Sequence, residues 1–208
     1  MDTNRTVAIL AVGLLLATAG CTQLITGDAK FTASTGTVEE YEALGYEEDR
    51  TEWRNITRTV EAGGQERDVT VANHVQVLLN RDENDDPVSG MALITSPEVE
   101  VATQAANPVG EWSNERVLEE FSGEFSEYGS LENVEERDTY AGEFVGVETT
   151  YTTFEATAQS DEGESRNVII TVTKVQEGGD YVIGIGVHDR GDEQNAQAVE
   201  ELFDNVEH

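Results

Sequence analysis

After residue 29 the apolar positions alternate between a period of two and a period near 3.6, and the switches divide the chain into elements. Lys30–Ser34 reads as a strand. Thr37–Leu44 reads as a short helix with acids in its first turn and Gly45 as its stop. Trp53–Ala62 and Glu66–Leu79 flank Gly63-Gly64 and predict a long hairpin. In its second arm Val69, Val71, Val75, Val77 and Leu79 share one parity while Asp68, Thr70, His74 and Gln76 share the other, so one face is expected to pack and the other to meet water.

Gly90–Thr95 and Val99–Thr103 predict two further strands, parted by Ser96-Pro97. Ser113 can then cap a helix on which Val117, Leu118, Phe121, Phe125 and Tyr128 form one apolar stripe. Four strands follow, at about Asn133–Tyr140, Phe144–Ala158, Asn167–Gln176 and Tyr181–His188, with turns at Asp161–Glu164 and Glu177–Asp180. A last helix spans about Asp192–Val206, with Val199, Leu202, Phe203 and Val206 on one stripe. Strands joined in sequence by tight turns, with helices before and after them, predict an α+β fold. The expected form is a single domain over residues 30–208, a largely antiparallel sheet covered by helices.

The front of the chain reads differently. Val7–Ala19 (VAILAVGLLLATA) is almost continuously apolar or small, follows Arg5, and as a helix would reach only about 20 Å, short of the ~30 Å hydrocarbon core. Residues 1–20 are therefore expected to be a signal peptide rather than a permanent span. Leu16–Cys21 (LATAGC) is similar to a lipobox, in which the cysteine is lipidated and becomes the mature N-terminus, and Cys21 is the one cysteine of the chain. Thr18 stands where such boxes usually carry an aliphatic residue, and the single Arg5 favours the general secretory route over the twin-arginine one. A two-chain lipid on Cys21 would anchor stably, since each buried CH₂ contributes about 0.8 kcal/mol. Residues 21–29 then form a tether short enough to hold the domain near the outer face of the cell membrane.

The chain has 208 residues, 43 acidic against 12 basic, for a net charge of −31. Loss of residues 1–20 removes one acid, Asp2, and one base, Arg5, so the charge persists. Such a surface excludes a nucleic-acid partner held by phosphate contacts. One cysteine excludes an internal disulfide, a thiolate zinc site and a CxxC redox pair. Lysine is nearly absent, at Lys30 and Lys174 only, a composition matching proteins of salt-loving archaea. In molar salt the Debye length is about 3 Å, and the carboxylates serve solubility rather than ligand binding.

Candidate chemistry is sparse. Asp82, Asn84 and Asp86 match the opening of a calcium loop, but Pro87 and Leu93 stand where a glycine and a bidentate Glu are needed, leaving a solvated hairpin loop. Gly184-Ile185-Gly186 lacks the third glycine of a dinucleotide loop, Asp189 being there, and no strand follows to complete the unit. Small residues that let a helix approach the sheet explain it better. Gly184, Gly186 and His188 nonetheless share one face and form a possible ligand face; with His74 on an adjacent strand, His188 could hold a metal. Acids are too dense for any carboxylate pair to be singled out as catalytic. Asn55-Ile56-Thr57 is an N-glycosylation sequon on a hairpin arm.

LATAGC, the acidic chain behind it, the segment Asn107–Glu115 (NPVGEWSNE) and the stretch GGDYVIGIGVHDRGDEQNAQAVEELFDNVEH together resemble an uncharacterised family of haloarchaeal lipoproteins, a domain of unknown function. The second half is also similar to the PsbP-like α/β/α sandwich of small exported accessory proteins. Neither resemblance supplies catalytic residues or a cofactor. The expectation is a lipid-anchored, surface-exposed, non-enzymatic binding or accessory component of the cell envelope, with a protein partner there. The alternative is a small-ligand or metal-binding receptor domain.

Overall fold

The computed structural model describes residues 29–62, 65–101, 104–105, 107–160 and 163–208. The expected signal peptide over residues 1–20, Cys21 and the part of the expected tether before Ala29 lie outside them, as does Gly63-Gly64.

Strand β1 (Ala29–Thr32) opens the fold, followed by β2 (Thr37–Val38) and a 3-10 turn at Tyr41–Leu44 that stops at Gly45. Where the acids and Leu44 suggest one helix over residues 37–44, Val38 is instead drawn into pairing with Val206. Two long strands come next, β3 (Glu47–Ala62) and β4 (Gln65–Arg81), paired antiparallel as the glycine-flanked pattern predicts. A tight acidic loop leads to β5 (Pro87–Pro97); there Asp82 Oδ1 accepts from the amides of Asn84 and Asp86 at 2.8 and 3.0 Å. The short pair β6 (Glu100–Val101) and β7 (Gln104–Ala105) precedes α1 (Asn114–Phe121). Ser113 caps α1 by accepting from the Arg116 amide at 3.2 Å.

The apolar stripe beyond Phe121 continues in 3-10 geometry over Ser122–Tyr128, so the helix is shorter than its stripe. Then come β8 (Ser130–Phe144), β9 (Val147–Gln159), β10 (Ser165–Glu177) and β11 (Asp180–Asp189), each antiparallel to the one before. Helix α2 (Glu193–Asp204), capped by Asp192, and β12 (Val206–Glu207) follow.

These strands form one sheet in the order β1-β4-β5-β11-β10-β9-β8, with β3 paired to the other side of β4. Pairing between β1 and β4 is parallel, so the sheet is mixed. With 61% of the described residues in strands and 20% in helix, 3-10 turns included, the fold is dominated by its sheet. This corrects the expected α+β arrangement of an antiparallel sheet covered by helices. Among the described residues there are two α-helices, of 8 and 12 residues, too short to cover strands of up to 17 residues.

One face carries Val75, Val77, Ala92, Ile94, Ile170, Val172, Ile183 and Ile185 against Val117, Leu118 and Phe121 of α1 and Phe125 beyond it. The other carries Leu78, Met91, Leu93 and Val182 against Val199, Leu202 and Phe203 of α2. Because both faces are occupied over the centre, the polar parity of β4 is not solvated. His74 and Gln76 are buried: the Trp53 ring meets the His74 ring edge-on at 5.1 Å, and the Gln76 carboxamide accepts from the Val38 amide at 3.0 Å. The outer strand β8 is left exposed from Glu132 to Tyr140.

Candidate functional site

The hairpin β8–β9 turns at Val145-Gly146, both at positive φ, and this register sets Tyr140 directly opposite Tyr151. Their rings stack with centroids 5.2 Å apart and planes 4° from parallel. Tyr151 is the buried member; its hydroxyl donates to the Glu143 carbonyl at 2.8 Å, and its ring meets Phe144 and Phe203 edge-on. Tyr140 is 41% exposed. Across the sheet α2 leans on β11 and reaches the hairpin through Phe203, whose ring meets Phe144 and Tyr151 edge-on; beside that contact a groove of about 500 Å³ opens between helix and hairpin.

The groove's floor is Thr153 of β9 with Ile169 and Thr171 of β10, and His188 stands on the β11 side. Tyr140 and Tyr151 form one wall, Val199 and Phe203 of α2 the other. Glu200 and Asp204 bring carboxylates to it, while Glu143, whose side chain alternates to the other face of β8, lines it with the backbone carbonyl that the Tyr151 hydroxyl binds. Burial, with Glu200 and Asp138 nearby, pushes the Tyr140 hydroxyl above its ordinary range; burial chiefly, then Tyr140, Asp204 and Glu143, does the same to Tyr151.

Of the possible ligand face, His188 lines this groove, its Nδ1 3.0 Å from the Asp189 carbonyl. Gly184 and Gly186 lie under α2: a Cβ on either would stand 2.5 Å from Phe203 or 2.4 Å from Val199. The pairing of His74 with His188 in one site does not form. β5 lies between their strands, and the two face Thr95 and Ser89 of that strand, about 20 Å apart along it. Among the described residues no cluster of three or more His, Cys, Asp or Glu could hold a metal ion. Asn55 is exposed on β3, and Cys21 lies outside the described residues.

Three buried polar arrangements escape a linear reading. Glu124, its side chain 1% exposed, binds Arg50 at 2.6 Å and also Arg54. Tyr46, Ser89, Asn80 and Asp192 converge on Asn195: the Tyr46 and Ser89 hydroxyls lie 2.8 Å apart, and Ser89 donates to Asn195 Oδ1 at 3.0 Å. Burial pushes the Tyr46 hydroxyl up to about 12. Lys174 donates to the carbonyls of Val109, Gly110 and Trp112 at 2.6, 3.1 and 2.8 Å. Apart from the local cap contact of Asp192 with Asn195, each arrangement joins residues at least 43 apart in the chain, so only the fold brings them together.

The family model for a domain of unknown function, DUF6517, matches residues 34–207, and the chain belongs to that family. No curated protein matches. Among solved structures, the solution structure of cyanobacterial PsbP (CyanoP) from Synechocystis sp. PCC 6803 is similar at 13% identity and a TM-score of 0.36, over 85% of this chain and 93% of that one.

Proposed function

We propose that this member of the DUF6517 family is an exported, lipid-anchored, non-enzymatic binding domain of the cell envelope of a salt-loving archaeon. The observation that carries the reading is Leu16–Cys21: the one cysteine of the chain directly follows small residues at the end of an apolar segment. The first strand begins at Ala29, so the domain is held within about 30 Å of the cysteine. The charge of −31 suits a surface exposed to molar salt.

Membrane fractionation of the native host in molar salt, with wild-type and Cys21→Ser chains, tests it. The wild-type chain should sediment with membranes, lack residues 1–20 and carry a lipid mass; the variant should be released. A wild-type chain in the soluble fraction with residues 1–20 intact would overturn the reading. Cross-linking from the same membranes would then identify the envelope component that it supports.

A second reading, a small-ligand receptor, is favoured by the groove beside Tyr140, which offers an aromatic wall and carboxylates in one concave place.

A further inference from the structure

We propose that the groove between α2 and the β8–β9 hairpin binds a small organic cation of the quaternary ammonium class, on the face of Tyr140 and beside Glu200 and Asp204. The proposal rests on the receptor reading and names its ligand class; it does not depend on the anchor.

Three features of the groove point to that class together. An aromatic face carries the negative part of the ring quadrupole and attracts a cation placed over it. Tyr140 is held flat against the buried Tyr151, so its ring is fixed without being consumed: one face stacks while 41% of the residue stays exposed. Such an exposed, pre-oriented ring costs little ordering entropy on binding.

The second feature is charge. Two carboxylates, Glu200 and Asp204 of α2, line the groove one turn apart, and among the described residues that line it none is Lys or Arg. Elsewhere on this face the carboxylate of Glu155 is bound by Arg190 and Arg137, so acids near arginines are already matched. Among the described residues, Glu200 and Asp204 carry no such ion pair. Glu200 also stands close enough to Tyr140 to help raise its hydroxyl.

The third is selectivity in salt. Long-range attraction is screened at about 3 Å in molar salt, which leaves contact interactions to decide. A hydrated sodium or potassium ion keeps its water shell, whereas a methylated ammonium presents apolar methyl groups to Thr153, Ile169, Val199 and the ring, and its charge to the carboxylates. The volume of about 500 Å³ lies within the range of small-molecule sites.

Calorimetric titration of the full chain, in detergent and molar KCl, with choline and with 3,3-dimethylbutan-1-ol tests the proposal. The alcohol has the same shape with carbon in place of the charged nitrogen. Choline should bind saturably and at least about tenfold more tightly than the alcohol. Tyr140→Ala should weaken choline by about 2- to 30-fold, the range spanned by exposed and desolvated cation–π contacts. Tyr140→Phe should retain it, and Glu200→Gln should weaken choline while leaving the alcohol unchanged. Equal binding of the two ligands would keep the groove as a site and overturn the cation. An unchanged affinity in a folded Tyr140→Ala chain would overturn the placement. No saturable heat with choline in a chain whose circular dichroism is intact would overturn the proposal, while fractionation of Cys21→Ser reports separately on anchoring.

Discussion

Val199 of α2 fills the space that a side chain on Gly186 of β11 would need, its Cγ1 2.4 Å from where that Cβ would stand. The helix thus approaches the sheet at the distance that a bare backbone permits, and Gly184 makes the same room for Phe203. Gly186→Ala should destabilise the domain by about 1–3 kcal/mol, the usual cost of overpacking a filled core. Denaturant unfolding in molar salt measures it, and a variant as stable as the wild type would show that α2 can slide.

Glu124 is the carboxylate whose loss should be felt most in stability. It is buried beneath β3 and holds Arg50 and Arg54, both partly exposed. Because those guanidinium groups can turn to water, Glu124→Gln should cost about 1–3 kcal/mol, less than a fully buried pair would. A midpoint shift in the same unfolding assay reads it.

His74 predicts a dependence on pH. Burial lowers its pKa below 6.5 against a weaker opposing pull from Glu48, and its Nδ1 is buried without a partner. The unfolded chain therefore binds the proton more readily than the folded one. Stability is full above 6.5, declines as the pH falls through 6.5, and levels off for this group below its lowered folded value. His74→Gln should flatten that part of the profile; an unchanged slope between about pH 7 and 5.5 would assign it to other groups.

Removal of salt should expand the molecule. At about 0.01 M salt the Debye length grows to about 30 Å, and a charge of −31 repels itself across the whole domain. Far-ultraviolet circular dichroism should lose strand signal on dialysis and regain it when molar salt is restored. An unchanged spectrum would mean that the core alone outweighs the repulsion.

Much of this architecture is legible in the chain, because its punctuation is local. Ser113 and Asp192 cap the helices they precede, Gly45 ends its turn, and Asp82 closes the acidic loop through its own neighbours' amides. What misleads is non-local. The alternation on β4 implies one wet face, yet Trp53, Val38 and α2 arrive from elsewhere to bury His74, Gln76 and Leu78. Helical stripes promise more cover than α1 and α2 supply, since Phe125 reaches the core from a kink at φ −105° and Tyr128 from the 3-10 turn after it. The groove is hidden for a related reason. Ending one strand at Tyr140 and starting the next at Phe144 leaves the turn too early, whereas the turn at Val145-Gly146 carries both strands on until Tyr140 meets Tyr151. A β-branched residue at positive φ is not a turn signal that sequence offers.

The pairing of β2 with β12 has a temporal meaning. Val38 meets Val206, and the Glu39 amide donates to the Asn205 carbonyl at 2.8 Å, joining residues that are far apart along the chain. A contact spanning so long a loop is costly to close before the intervening sheet exists. Residues 37–39 therefore have the Gln76 contact to Val38 but lack their strand pairing until residues 205–207 have been made. A chain interrupted before that point would hold most of its strands, β1 on β4 among them, and leave one short segment near its front without an edge partner, open to proteases.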